Sequence, residues 1–207
     1  MAVNHSSYGI AQSQSHDAID ARCVCNAILD ATDHQGVSVT HVSLQRLLYL
    51  VHSRYLLENG RGLVSGCFEA WKHGPIHTGA FAGFAQAGGR KIDFRAMRRD
   101  LDTGNMVPLE QIQNADDLEF IQRVSLGYCH LSACELVAMA QAKGGAWYFV
   151  VERGLSHFSL SLRISNDIIR SKLGSLKIVV GCAASNLSFS IDEPFAKGGL
   201  SLPFERY

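Results

Sequence analysis

The sequence is poor in the features that usually announce chemistry. It has no run of about 18 apolar residues, the length that spans a bilayer. Its opening stretch, MAVNHSSYGIAQSQSH, lacks the apolar core of a signal peptide. The expectation is a cytoplasmic protein with no membrane contact. A charge excess of either sign is also missing, since 19 Lys+Arg balance 19 Asp+Glu, so no global field favours nucleic acid or a lipid surface. Six cysteines occur without any C-x-x-C pair, which points to small buried thiols in a reducing compartment rather than disulfides or metal ligands. Gly88-Gly89 and Gly144-Gly145 lack the G-x-x-x-x-G-K-[ST] frame and a preceding strand. They read as helix breakers rather than phosphate cradles.

What the chain does have is concentrated in residues 40–76, THVSLQRLLYLVHSRYLLENGRGLVSGCFEAWKHGPI. Leu44, Leu47, Leu48, Val51 and Tyr55 recur at helical spacing and define one face of a long helix. Leu50, Leu56 and Leu57 widen that face, so the helix is expected to be central and buried on much of its circumference. Thr40 is the expected N-cap, and Asn59-Gly60 the stop. Then follows a glycine-punctuated turn region with Trp71 and a Gly74-Pro75 break, Pro75 being expected to pre-set the first turn of a helix over 76–86.

Elsewhere the pattern is again mostly helical. Helices are expected over 16–33 with Ser15 as cap, over 116–127, over 132–143 and over 164–173. Ser132 and Glu135 form a capping-box signature for the third of these. Residues 90–108 hold Arg90, Lys91, Arg95, Arg98 and Arg99, and read as a solvated loop that could face an acidic partner. Phe94 stands alone there, without the aromatic ladder that single-stranded nucleic acid needs. Residues 1–15 are expected to be a disordered polar tail. Residues 176–207 are expected to be an extension packing on the domain, with a β-rich hairpin between Leu176 and Ile191. The fold class is therefore mainly all-α: a compact multi-helix domain over 16–175, plus a small C-terminal hairpin.

Few residues are arranged for catalysis. His73 and His77 are four apart, but Gly74-Pro75 separates them and no H-E-x-x-H frame is present. Cys67 with His73 or His77 has the atom types of a nucleophilic pair, without a third group to orient it. His52 reads as a satisfied histidine on a helix face. Trp71 reads as a core anchor or as a partner hot spot, and can be both if its indole borders a groove.

Two spaced motifs carry a family resemblance. LQRLLY, with Leu44, Gln45, Leu47, Leu48 and Tyr49 and with Arg46 at a lysine position, is followed by FEAWKHGPI, with Phe68, Ala70, Trp71, Gly74 and Pro75. Together they resemble the Panacea domain, an antitoxin-associated domain also described as SocA-like or GepA-like. The resemblance extends over about residues 18–175. In that family a later segment reads E-L-x-x-x-T-H, then P-W. Glu135, Leu136 and Trp147 fit, whereas Ala140 and Gln141 replace Thr-His and Ala146 replaces Pro, so the polar part of this motif is expected to be lost. The resemblance implies a non-catalytic protein, without metal or cofactor, that neutralises a cognate toxin by binding it. It is often phage-associated, and in one branch hands the toxin to a AAA+ protease. It implies partner-binding roles for Arg46, Tyr49, Trp71, His73, Gly74, Pro75 and Trp147. Two other readings stay open: a secreted effector or phage-encoded inhibitor that reuses the fold on a host protein, and a Cys/His enzyme.

Overall fold

A computed structural model of the chain describes residues 17–157 and 162–173. The expected tail over 1–15 and the expected C-terminal hairpin lie outside the described residues. Among the described residues, seven α-helices and five short strands follow one another. The architecture is built around α2 (His41–Asn59). Every residue from position 44 to 53 in it is buried, polar ones included, because other elements pack on all of its sides. These are α1 (Ala21–His34), α3 (Thr78–Phe84), α4 (Ala115–Tyr128), α5 (Ala133–Ala140) and α7 (Asn166–Leu173). Burying each Leu of such a rod is worth about 1.5–3 kcal/mol relative to leaving it in water, so α2 is the main source of cohesion.

The ends of the helices follow local rules. The Thr40 hydroxyl accepts from the Ser43 N–H at 3.3 Å, and Gly60 closes α2 with φ 68°, in the left-handed region glycine tolerates. Asn114 caps α4 in the same way, and the Ser132–Glu135 capping box is formed at α5. The first helix begins later than the sequence suggests. Its cap is Asp20, not Ser15, and Ile19 instead makes a parallel bridge to Val64. Two backbone bonds hold that bridge, Ile19 N–H to Leu63 O at 2.9 Å and Ser65 N–H to Ile19 O at 2.8 Å. Tertiary pairing therefore takes residues that local polarity would have given to a helix.

The mainly helical expectation holds, with one correction at the place that matters most. The Trp71 segment is not a turn leading into a helix but a β-hairpin. β1 (Phe68–Trp71) pairs antiparallel with β2 (Gly74–His77) across the two-residue turn Lys72-His73. β5 (Arg163–Ile164) adds on the other side of β1, giving the order β2-β1-β5. Pro75 is accommodated because β2 is an edge strand, where the missing N–H costs no ladder bond. Helix α3 therefore starts only at Thr78, capped by His77, and a 3-10 turn over Ala85–Ala87 finishes it.

Residues 90–108 are likewise more ordered than a solvated loop. β3 (Met97–Arg99) and β4 (Met106–Pro108) form an exposed antiparallel hairpin. Arg95 is fixed to α1 by Asp30 and Asp33, both at 2.7 Å. Helix α6 (Ala146–His157), for which the sequence pattern gave no expectation, starts directly after the Gly144-Gly145 break.

Candidate functional site

The two sequence motifs meet in space, and their polar residues explain why. Gln45 and Arg46 sit side by side within an otherwise apolar run of α2, and both are 0% exposed. Gln45 Oε1 accepts from the His77 N–H at 3.0 Å, at the far end of β2. Arg46 Nη2 donates to the carbonyl of His73, at the near end. One helical turn therefore clamps both ends of a four-residue strand. Gly74 is the residue that lets the guanidinium approach. Its φ is 125°, and an added Cβ would lie 3.0 Å from Arg46 Nε. Glycine is required here by backbone conformation and by space together.

The hairpin turn is held from above as well. Trp147 Nε1 on α6 donates to the Trp71 carbonyl at 2.9 Å, and Gln141 Nε2 at the end of α5 donates to the Lys72 carbonyl at 3.1 Å. Three consecutive carbonyls, of Trp71, Lys72 and His73, each accept a side-chain donor from a different helical segment. A turn with its acceptors occupied in this way is pre-organised, and a partner pays little entropy to find it ordered. The expectation that the polar part of the second motif is lost holds at Ala140 and Ala146, whereas Gln141 supplies an N–H donor to the turn.

The seven predicted partner-binding residues thus gather in one cluster, but unequally. Arg46 is 0% exposed, Tyr49 3% and Trp147 8%, while Gly74 and Pro75 are buried in β2. They shape the turn from beneath. Trp71 and His73 are half-buried and reach the surface. The Trp71 indole N–H donates to Glu69 at 3.0 Å, and its ring lies 5.0 Å from that of Phe81, which in turn lies 4.5 Å from His41. Sequence reasoning missed Gln45, Gln141 and Phe81. A glutamine inside a leucine run was a legible signal for the first, whereas the other two are defined only by what they touch.

Beneath the hairpin, Phe68 is ringed by Tyr49, His52 and His77 at centroid distances of 5.3, 5.2 and 5.2 Å. Burial pushes the Tyr49 phenol up to about 12, with the Ser53 side chain partly opposing the rise. Both histidines are held neutral. The Val64 N–H donates to His52 Nδ1 at 3.3 Å, so the ring proton sits on Nε2, which donates to Asn166 Oδ1 at 2.9 Å. Burial drives this imidazole down to about 4. His77 repeats the arrangement. Its Nδ1 accepts from the Ala80 N–H at 3.3 Å, its Nε2 donates to the Ser65 carbonyl at 2.8 Å, and burial lowers its pKa. With both ring nitrogens committed, neither can serve a metal or a substrate without breaking a structural bond. His52 is the satisfied histidine the sequence suggested. Among the described residues no three His, Cys, Asp or Glu side chains are placed to share a metal ion, and Cys23, Cys25, Cys67, Cys129 and Cys134 are free thiols. Also among the described residues, no helix is long and apolar enough to cross a membrane.

Comparison with known proteins agrees with the motif geometry. The family profile described as "Antitoxin SocA-like, Panacea domain" matches residues 44–148, a span that begins at the α2 clamp and ends just past Trp147. The chain is 34% identical over 168 residues to Antitoxin SocA of Caulobacter vibrioides (strain NA1000 / CB15N), covering 81% of this chain and 89% of that protein. No solved structure matches the chain.

Proposed function

The chain belongs to the SocA-like Panacea family, and on that premise we propose that it is an antitoxin that binds a cognate toxin protein and neutralises it without catalysis of its own. The observation that carries the reading is the 34% identity to Antitoxin SocA across most of both chains. Two features of the structure support the finer part. The family motifs build a rigid, carbonyl-capped turn that ends at the surface in Trp71 and His73. The buried histidines, which an enzyme would use as acid or base, are consumed as hydrogen-bonding struts. Delivery of the toxin to a AAA+ protease is an extension of the same role. A cytoplasmic setting is part of the proposal, and the five free thiols among the described residues are compatible with it.

Co-expression tests the proposal. The gene beside this one is induced alone and together with the present chain, and growth is followed. The expected outcome is arrest in the first case, recovery in the second, and co-purification of the two proteins. A neighbour that is harmless alone, or whose toxicity persists, refutes the antitoxin role. A toxin half-life that shortens with the chain only when an AAA+ protease is present marks adaptor activity.

A further inference from the structure

We propose that the hairpin turn and the ground around it form the face on which the toxin docks, and that the toxin meets it with an acidic, apolar-bearing surface. The inference rests on the antitoxin reading above and adds the location and chemistry of the contact.

The first observation is a charge asymmetry within a neutral chain. Residues 34–57, 70–92 and 136–151, which build most of this region, contain no Asp or Glu; the acidic residue of β1, Glu69, lies just outside them, and its carboxylate accepts from the Trp71 indole at 3.0 Å. They contain Arg46, Arg54, Lys72, Arg90, Lys91 and Lys143. The second observation concerns how those cations are used. Away from the turn, several surface cations are paired, Arg22 with Asp20, Arg54 with Glu58, Lys91 with Asp33, Arg95 with Asp30 and Asp33, and Arg170 with Asp167, whereas Arg90 and Arg99 bond backbone carbonyls instead. Lys72, at the tip of the turn, and Lys143, two residues beyond Gln141, are exposed, and neither has a carboxylate at ion-pair distance among the described residues. Gln141 ties their two backbones together through the Lys72 carbonyl.

The third observation is an aromatic anchor beside these charges. Trp71 and Phe81 are half-buried, with centroids 5.0 Å apart. An aromatic surface flanked by unpaired lysines, on a turn whose carbonyls are already satisfied, suits one kind of partner. That partner offers carboxylates to the lysines and an apolar side chain to the rings. Nucleic acid fits less well, because this face presents two lysines, Lys72 on the turn and Lys143 beyond α5, rather than a track of phosphate contacts.

The test uses the full chain and the neighbouring toxin. The variant Lys72→Glu/Lys143→Glu reverses only exposed charges, so it is expected to keep the wild-type far-ultraviolet circular dichroism. Its affinity for the toxin is expected to fall roughly 10- to 100-fold, with growth rescue lost. Wild-type binding is expected to weaken between ~50 and ~300 mM salt, and the variant's is not. Arg98→Glu, on the separate β3–β4 hairpin, is expected to bind like wild type. Rescue by the wild type together with undiminished binding by the double variant overturns the face and leaves the antitoxin reading standing. If the wild type neither rescues nor binds, the antitoxin reading fails, and the face is judged with a Glu-rich peptide carrying one Leu. In that titration the Trp71 indole resonance should move and that of buried Trp147 should stay. No movement at low salt, or tighter binding of a short DNA duplex than of the peptide, overturns the proposal.

Discussion

Gly74→Ala should report the clamp more directly than any change at Arg46 itself. At φ 125° an L-residue is strained, at a cost of roughly 1–3 kcal/mol. The new Cβ would also sit 3.0 Å from Arg46 Nε and 3.4 Å from Cζ and Nη2. Arg46 is 0% exposed and committed to the His73 carbonyl, so it cannot swing aside without giving up a charge-assisted bond. Overpacking of this kind adds about 1–3 kcal/mol, for a total of roughly 2–6 kcal/mol. The two contributions separate in a double-mutant cycle. In an Arg46→Ala background the obstacle is gone and only the backbone strain remains, so Gly74→Ala should then cost about 1–3 kcal/mol, with a coupling of roughly 1–3 kcal/mol. Equilibrium urea unfolding of the four proteins measures each quantity. Equal costs in both backgrounds, or a cost below about 0.5 kcal/mol in the wild type, would refute the claim that glycine is there to admit the guanidinium.

Three further outcomes follow from the same geometry. His52 has a folded pKa of about 4 against an ordinary 6.5, so the unfolded chain binds the extra proton between those values. Its contribution is complete above pH ~7 and is lost as pH falls from about 6.5 towards 4, by roughly 3 kcal/mol in all; urea midpoints across that range should show the slope, and His52→Gln should flatten it, with an unchanged slope counting against this account. Tyr55→Phe deletes a buried hydroxyl that donates to Asp117 at 2.5 Å and should cost about 1–3 kcal/mol in thermal or urea unfolding; a neutral result would mean that Asp117 is served by its other neighbours, Arg61 among them at 3.7 Å. Trp147→Phe keeps the ring but loses the donor to the Trp71 carbonyl. It should destabilise by about 1 kcal/mol and speed amide exchange in residues 71–74 ahead of the rest of β1 and β2, whereas uniform acceleration would assign Trp147 to packing alone.

The helices were readable because their signals are local. Leucine spacing, Thr40, Gly60 and the Ser132–Glu135 box each act within a few residues, so α2, α4 and α5 emerge nearly where the pattern puts them. The hairpin was not readable, since FEAW and GPIH are each four residues long and carry no hairpin dipeptide between them. They become strands because α2 presents Gln45 and Arg46 to both ends of β2 and because β5, more than ninety residues beyond its partner β1, completes the sheet.

By itself the amino-acid order settled most of the helical segments, though not α6 (Ala146–His157), that the leucine-rich one is central, and that its motifs belong together. It could do so because side-chain periodicity and capping depend on near neighbours. Only the tertiary structure decided that most of the motif residues lie beneath a turn rather than on a surface, that Gln141 supplies that turn with a donor, and that Lys72 and Lys143 have no carboxylate at ion-pair distance among the described residues. Those facts depend on elements far apart in the chain arriving at the same three carbonyls, and no local pattern encodes that meeting.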